Sequence, residues 1–124
     1  MKIKKTTNPF IAAFAGLKIL FTTERNFQIH IIVAILAIIA CIIFQVKTYE
    51  WLIVLAMIGL VLTAEALNTS IEYICNHVCP DIHPTIKKIK DIAAAAVLIC
   101  AITSVIIGLI IFLPYIYNFL SPYL

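Results

Sequence analysis

The segment that decides the fold is residues 51–76, WLIVLAMIGLVLTAEALNTSIEYICN. Its first half, WLIVLAMIGLVL, contains only apolar residues and glycine, which is typical of a helix that crosses a membrane. The second half then adds Glu65, Asn68 and Glu72. Because polar and charged side chains are costly to bury in lipid, these three residues are the feature that needs an explanation.

The three residues share one face of the predicted helix. At about 100° per residue, Glu65, Asn68 and Glu72 fall within roughly 60° of one another, and we call them the polar stripe. Polar side chains can also serve as packing contacts between helices, which is the alternative interpretation. Two carboxylates and an amide on one stripe favour a functional site. The oxygen atoms of these side chains are hard ligands of the kind that Mg²⁺ prefers.

Composition places the whole chain in the membrane. Of its 124 residues, 64% are hydrophobic and 12% are charged, and the mean hydropathy is +1.12. A soluble domain of this length could not bury so much apolar surface. The N-terminal segment does not have the pattern of a cleaved signal peptide. We therefore expect one integral-membrane domain over residues 1–124.

The chain divides into four predicted helices, so the fold class is an all-α membrane protein. Asn8 and Pro9 predict a helix start, and the helix over about 9–24 is expected to lie on the membrane surface, since Lys18 and Glu24 interrupt its apolar face. A fourth spanning helix is the weaker alternative. Transmembrane helices are predicted at about 27–45, 51–76 and 91–113, each near the ~20 residues that a span needs.

Basic residues predict the orientation. Lys2, Lys4, Lys5, Lys18 and Arg25 precede the first span, and Lys87, Lys88 and Lys90 precede the third. Only Lys47 falls on the opposite side. The positive-inside rule therefore places the N-terminus and the polar stripe at the cytoplasmic face and the C-terminus outside.

A second polar group lies where the third span begins. Lys90 could provide a counter-charge for phosphate, and Asp91 could position it or hold a metal-bound water. If this segment is considered alone, the simpler interpretation is that Lys90 snorkels to the membrane interface and Asp91 stabilises the start of a helix. The following residues, Ala93 to Ala96, form a small-residue surface that lets helices approach closely.

Three motifs together carry a family resemblance. EALNTSIE (residues 65–72), KDIAAAAVL (90–98) and ERNFQIH (24–30) resemble the pattern of the small prokaryotic diacylglycerol kinases, and the last motif resembles their Gram-positive branch, which includes undecaprenol kinases. The resemblance extends from Phe10 to about Leu113. It implies a homotrimeric helical bundle in the bacterial inner membrane that transfers the γ-phosphate of ATP to undecaprenol or diacylglycerol with Mg²⁺. No nucleic-acid partner is expected.

The resemblance also implies roles for individual residues. It makes Glu65 the general base, with Asn68 as a second catalytic residue, and Glu24 and Glu72 the metal ligands. The expected nucleotide contacts are Lys90, Asp91, His83, Asp81 and Lys5, and the expected substrate contacts are Glu65, Phe14, Lys18 and Phe27. Three positions depart from the family pattern: Asn76 replaces an acid of some members, Lys5 replaces an arginine, and Ala12 replaces a tyrosine.

The residues support this chemistry independently of the resemblance. The chain has only three glycines and no G-x-x-x-x-G-K-[ST] motif, so no phosphate-cradling loop is expected. Phosphate charge would then be neutralised by Mg²⁺ on carboxylates and by lysine side chains. A partly desolvated Glu65 would suit removal of the proton from a lipid hydroxyl. The alternative is a non-enzymatic oligomeric membrane protein such as a cation pore. A pore should carry polar residues along its full span, and WLIVLAMIGLVL carries none.

Several other polar or aromatic residues are expected to have no catalytic role. Cys75, His77, Cys79 and His83 do not have the spacing of a zinc finger. His30 is expected to make a polar contact near the surface helix rather than to act as a catalyst. The tyrosines at 49, 115, 117 and 123 and Trp51 are predicted to form an outer aromatic belt.

The final expectation concerns assembly. A single protomer is expected to leave the polar stripe facing lipid, at roughly 2–3 kcal/mol for each charge near mid-membrane. A neighbouring protomer would then cover the stripe, and its Lys90 or Glu24 could complete a shared active site.

Overall fold

The computed structural model describes residues 8–124. The described chain folds into α1 (Pro9–Thr23), α2 (Arg25–Phe44), α3 (Thr48–Val78) and α4 (Pro84–Leu120), followed by a 3-10 turn at Ser121–Tyr123. Three of these helices, α2, α3 and α4, are long and apolar enough to cross a membrane. This confirms the all-helical fold class with three candidate spans and one shorter N-terminal helix.

Two helix starts show how the local sequence sets the boundaries. The Asn8 side chain accepts a hydrogen bond from the Phe10 N–H at 2.9 Å, and Pro9 takes the first helical position, as predicted. Helix α4 begins at Pro84 rather than near residue 91, because proline is also favourable at this helix start. The helix then continues through Pro114 to Leu120, beyond the predicted end at 113.

The connections between the first three helices are short. A single extended residue, Glu24 (φ −102°, ψ 103°), separates α1 from α2 and turns the chain between them. Gln45 (φ 49°, ψ 53°) ends α2 in the left-handed conformation, and the Val46 N–H donates to the Cys41 carbonyl at 3.2 Å. This turn leads directly into α3, which returns alongside α2.

The bundle has two ends with different packing. We call the end that contains residues 45–47 the hairpin end, and the end that contains Glu24 and the C-terminal half of α3 the polar end. At the hairpin end, an apolar cluster of Cys41, Val46, Val54 and Ile111 joins α2, α3 and α4. Helix α3 packs more extensively on α4 than on α2. The tightest apolar core is therefore far from the polar stripe.

The length of α3 determines the depth of the stripe. Glu65 comes 17 residues after Thr48, the first residue of α3, and so lies about 26 Å farther along the helix axis. The hydrocarbon core of a bilayer is ~30 Å thick. If α3 enters the hydrocarbon near Thr48, Glu65 lies close to the opposite boundary, at the depth where lipid head groups begin.

Candidate active site

The polar stripe is largely buried within one protomer. Glu65 is 4% exposed and Asn68 is 7% exposed, while Glu72 is half-buried. The expectation that a lone protomer leaves the whole stripe facing lipid is therefore wrong for Glu65 and Asn68. Helix α2 reaches Glu65 and removes it from the surface, so the carboxylate is desolvated before any neighbour is added.

The residue that α2 brings to Glu65 is His30. The His30 Nε2 atom lies 3.3 Å from the Glu65 Oε1 atom, and the His30 side chain is 23% exposed against 5% for Glu65. Sequence reasoning predicted a polar contact for His30 but missed this partner. The sequence does single out His30, because residues 29–44, IHIIVAILAIIACIIF, contain one imidazole and no charged or amide side chain besides it.

Asn68 joins the stripe to Glu72. Its Nδ2 group donates to the Glu72 Oε1 atom at 3.3 Å, one helical turn away. This bond orients the amide so that Oδ1 points elsewhere, where it is buried without a hydrogen-bond partner. A buried carbonyl oxygen without a partner is costly, so this atom is available to a hydrogen-bond donor or a cation.

Glu24 approaches the stripe from the corner between α1 and α2. Its Oε1 atom accepts a hydrogen bond from the Tyr73 hydroxyl at 3.2 Å, which connects this corner to the residue next to Glu72. The structure thus places Glu24 and Glu72 at the same end of α3. Within residues 8–124, no three His, Cys, Asp or Glu side chains come together in a way that could hold a metal ion.

Lys90 reaches the stripe through Asn76. Asn76 lies 11 residues after Glu65, which is about three turns and 20° around α3, so it extends the same face. The Lys90 Nζ atom donates to the Asn76 Oδ1 atom at 2.5 Å. Asn76 stands where some members of the family that the sequence resembles have an acid. Its amide instead holds Lys90 at the edge of the site.

The other residues predicted to contact the nucleotide have different surroundings. Asp91 pairs with Lys87 at 2.6 Å on an exposed face of α4. The His83 Nδ1 atom accepts from the Thr85 N–H at 3.1 Å and caps α4. Asp81 is exposed in the loop between α3 and α4. Lys5 lies outside the described residues.

The residues predicted to contact the lipid also separate into two groups. Phe14 and Lys18 are exposed on α1, where they could meet lipid. Phe27 is 3% exposed and packs edge-to-face on Phe21, with 5.2 Å between the ring centroids. Phe27 therefore fixes α1 against α2, and its buried ring has little surface to offer a substrate.

A cavity of about 370 Å³ lies between α2, α3 and α4. His30 and Leu62 line the cavity at the end nearest the polar stripe, and Val54 and Phe112 line it toward the hairpin end. Apart from His30 and Ser104, its lining is apolar. We call it the apolar groove. Its position beside Glu65 connects the buried carboxylate to a hydrocarbon-like surface.

The hairpin end contains a polar contact that sequence reasoning did not predict. The Tyr115 hydroxyl donates to the Glu50 Oε1 atom at 2.5 Å, and the Lys47 N–H donates to the same oxygen at 3.0 Å. Tyr115 is therefore more than part of an aromatic belt, since it ties α4 to the start of α3. Nothing in the sequence near either residue indicates the other.

Comparison with known proteins identifies relatives along most of the chain. Residues 11–112 match the family described as prokaryotic diacylglycerol kinase. The undecaprenol kinase of Bacillus subtilis (strain 168) is 40% identical over 105 residues, which cover 85% of this chain and 85% of that protein. A diacylglycerol kinase of Synechocystis is 35% identical over 106 residues, covering 85% of this chain and 61% of that protein. The family match includes the polar stripe, His30 and Lys90.

Proposed function

The chain belongs to the prokaryotic diacylglycerol kinase family and is a lipid kinase, and we propose that it transfers the γ-phosphate of ATP to the hydroxyl of a membrane lipid alcohol with the help of Mg²⁺. The observation that carries this proposal is the buried Glu65 carboxylate, which contacts His30 at the end of an apolar groove. If α3 enters the hydrocarbon near Thr48, this carboxylate lies at head-group depth. A base in this position meets a lipid hydroxyl without requiring the lipid to leave the membrane.

Glu65 is the proposed general base. It removes the proton from the lipid hydroxyl as that oxygen forms a bond to the γ-phosphorus. The bond between the γ-phosphorus and the oxygen bridging to the β-phosphate breaks, so ADP leaves and Glu65 holds the proton. With one of its oxygens near His30, the carboxylate keeps the second oxygen for the substrate.

Glu24 and Glu72 are the proposed ligands of Mg²⁺. Carboxylate oxygens at the same end of α3 fit the hard oxygen ligands that this ion prefers. Mg²⁺ is commonly held by one or two carboxylates together with substrate phosphates, so a cluster of three acidic residues is not required. When bound, Mg²⁺ would neutralise charge on the phosphate oxygens.

Lys90 is the proposed phosphate contact from the protein. Its ammonium group is held at the edge of the polar stripe by Asn76, which leaves further N–H donors for phosphate oxygens. Asp91, Asp81, His83 and Lys5 remain proposed nucleotide contacts. Asp91 and His83 would have to rearrange or share their present partners, Lys87 and Thr85, to serve in this way.

The lipid tail is proposed to enter the apolar groove. The groove starts beside His30, which contacts Glu65, and beside Leu62, about one helical turn before Glu65 on α3, and it extends toward the hairpin end. A lipid that places its hydroxyl at Glu65 would keep its hydrocarbon in contact with the groove, which avoids exposing apolar surface to water. Phe14 and Lys18 on α1 are proposed to contact the part of the lipid nearest the head group.

We propose that undecaprenol is the preferred acceptor, because the undecaprenol kinase of Bacillus subtilis is 40% identical and matches in length. Transfer of radiolabelled phosphate from ATP to undecaprenol and to diacylglycerol in mixed micelles tests this, with the Glu65→Gln variant as a control for background transfer. Higher kcat/KM for undecaprenol is expected. A preference for diacylglycerol would contradict the acceptor, and no transfer to either lipid would contradict the kinase chemistry.

The basic residues support a cytoplasmic site. Lys18 in α1 and Arg25 at the start of α2 lie at the polar end of the bundle, as do Lys87, Lys88 and Lys90 before the apolar part of α4. ATP would then be supplied from the cytoplasm. Modification of single cysteines introduced at the two ends, in sealed vesicles, measures this orientation directly.

We further propose a homotrimer, as the family resemblance implies. Many large apolar side chains of α2 and α4 remain exposed in the protomer, so helix surface is available for a neighbour. Sequence analysis predicts a shared site, whereas the contact of Lys90 with Asn76 in the same chain favours a lysine from the same protomer. Mixing Glu65→Gln protomers with Lys90→Ala protomers distinguishes a shared active site from one that uses the Lys90 of the same protomer. Recovered activity would show sharing, and no recovery in cross-linked mixed oligomers would show that each protomer uses its own Lys90.

A further inference from the structure

We propose that His30 is a positioning residue that holds the Glu65 carboxylate in the orientation needed to remove the substrate proton. The proposal rests on the proposed role of Glu65 as the base. Its starting observation is the 3.3 Å separation between His30 Nε2 and Glu65 Oε1 across the α2–α3 interface. His30 and Glu65 are brought together only by the fold, because they lie on different helices.

The chemistry of the two groups defines what each can do in this contact. An ionised carboxylate only accepts hydrogen bonds, so the imidazole nitrogen that faces it must carry the proton. At 3.3 Å, His30 can therefore donate to Oε1 in either its neutral or its charged form. Because the contact with His30 engages Oε1, the second carboxylate oxygen would be the one that accepts the substrate proton.

Glu65 needs a donor from another helix. Its carboxylate is 5% exposed, so water supplies little hydrogen bonding, and a buried carboxylate without a partner is strongly destabilised. On α3, the Asn68 Nδ2 group donates to Glu72 rather than to Glu65. His30, whose Nε2 atom lies 3.3 Å from Glu65 Oε1, is placed to orient the base from the facing helix.

The position of His30 also relates the base to the lipid. His30 lines the apolar groove, and it is more exposed than Glu65. A lipid in the groove would pass the imidazole before its hydroxyl reached the carboxylate. A side chain at this point can set the distance between hydroxyl and base, and a misplacement of about 1 Å can cost ~100-fold in rate.

Variants at position 30 separate this role from simple packing. His30→Leu and His30→Phe fill space without a donor, whereas His30→Gln keeps an N–H group. In the full-length protein in mixed micelles, we expect Leu and Phe to lower kcat about 10–100-fold, with KM for ATP and lipid changed less than about twofold. The loss in log kcat caused by His30→Gln should be at most two thirds of the loss caused by His30→Leu. His77→Leu, at an exposed position near the end of α3, is the matched control and should leave kcat unchanged.

A double-mutant cycle provides the second readout. If His30 acts through Glu65, then His30→Leu should cause no further loss of kcat in a Glu65→Gln background. A role confined to packing predicts multiplicative losses and equal effects of Leu and Gln. Either of those results, or normal kcat in both the Leu and Phe variants, would overturn the proposal for His30. Normal kcat in Glu65→Gln itself would instead overturn the proposed base, and the His30 proposal with it.

Discussion

Helix α3 contains two buried carboxylates with opposite surroundings. At the hairpin end, Glu50 is 8% exposed, and its Oε1 atom accepts hydrogen bonds from Tyr115 and from the Lys47 backbone. At the polar end, Glu65 is 4% exposed, and the His30 Nε2 atom lies 3.3 Å from its Oε1 atom. Burial alone does not distinguish a structural acid from a reactive one. The difference lies in how fully the protein itself satisfies the carboxylate.

The regions around the two acids differ in the same way. Near Glu50, the Phe44 ring stacks on Tyr115 with 5.9 Å between centroids, and the apolar cluster closes around them. Near Glu65, Asn68 keeps a buried Oδ1 atom without a partner. Buried polar groups are normally satisfied, so Asn68 Oδ1 is a place where a water, an ion, a ligand or a neighbouring protomer can supply the missing hydrogen bond. In the described protomer, the acid at the hairpin end has its hydrogen bonds, whereas an amide oxygen near the acid at the polar end has none.

The largest expected effect comes from Glu65→Gln. Removing the base should lower kcat by roughly 10²–10⁴-fold, because no other carboxylate takes its place beside the groove. The glutamine has nearly the same shape, so the fold and nucleotide binding should be retained. Steady-state kinetics and the binding of a non-hydrolysable ATP analogue measure the two properties separately. Wild-type turnover in this variant would remove Glu65 from the mechanism.

The next effect concerns the metal. Glu24→Gln and Glu72→Gln should each raise the Mg²⁺ concentration needed for half-maximal activity, by about tenfold, and the double variant should bind ATP poorly. Titration of activity with Mg²⁺ at saturating ATP measures the shift. Glu50→Gln serves as the comparison, because Glu50 lies at the hairpin end of α3, away from the polar stripe. Unchanged Mg²⁺ dependence in both single variants would mean that the ion is held elsewhere.

A smaller effect is expected at the phosphate contact. Lys90→Met should raise KM for ATP about tenfold, which corresponds to ~1.4 kcal/mol, because one charged donor to phosphate is lost. Lys88→Met is the matched control, since Lys88 is exposed on α4 and no role in the site is proposed for it. An equal rise in KM for both variants would indicate a general effect of positive charge and would contradict a specific role for Lys90.

The fold could be predicted from hydropathy because each span is a continuous apolar segment. The helix boundaries were less accurate. Helix α4 starts at Pro84, before the predicted span at about 91, because proline is well tolerated in the first turn of a helix and hydropathy marks only the apolar part of the helix. Helix α4 also continues through Pro114, which the hydropathy pattern alone did not indicate.

The polar stripe could also be predicted, since Glu65, Asn68 and Glu72 lie on one helix and helical periodicity determines their relative positions. Contacts between helices could not. The partners His30 and Glu65, and likewise Tyr115 and Glu50, are brought together by packing that periodicity does not describe. Burial of the stripe within one protomer was missed for the same reason, because it depends on where α2 crosses α3.

The smallest expected effect tests the structural acid. Tyr115→Phe removes the hydroxyl that donates to Glu50 and keeps the ring that stacks on Phe44. Glu50 retains its bond from the Lys47 backbone, so the loss should be moderate, and we expect the melting temperature in detergent to fall by about 5 °C. The same change at the exposed Tyr117 should have little effect on stability.

The effect of each variant on kcat distinguishes the structural role of Glu50 from the catalytic role of Glu65. The Glu50 contact lies at the opposite end of α3 from the polar stripe, so kcat of Tyr115→Phe should stay within about twofold of wild type below its melting temperature. Glu65→Gln should show the reverse pattern, with stability kept and turnover lost. A drop in kcat for Tyr115→Phe similar to that for Glu65→Gln would show that the hairpin end controls the geometry of the polar end. The two carboxylates could then no longer be treated as one structural and one reactive group.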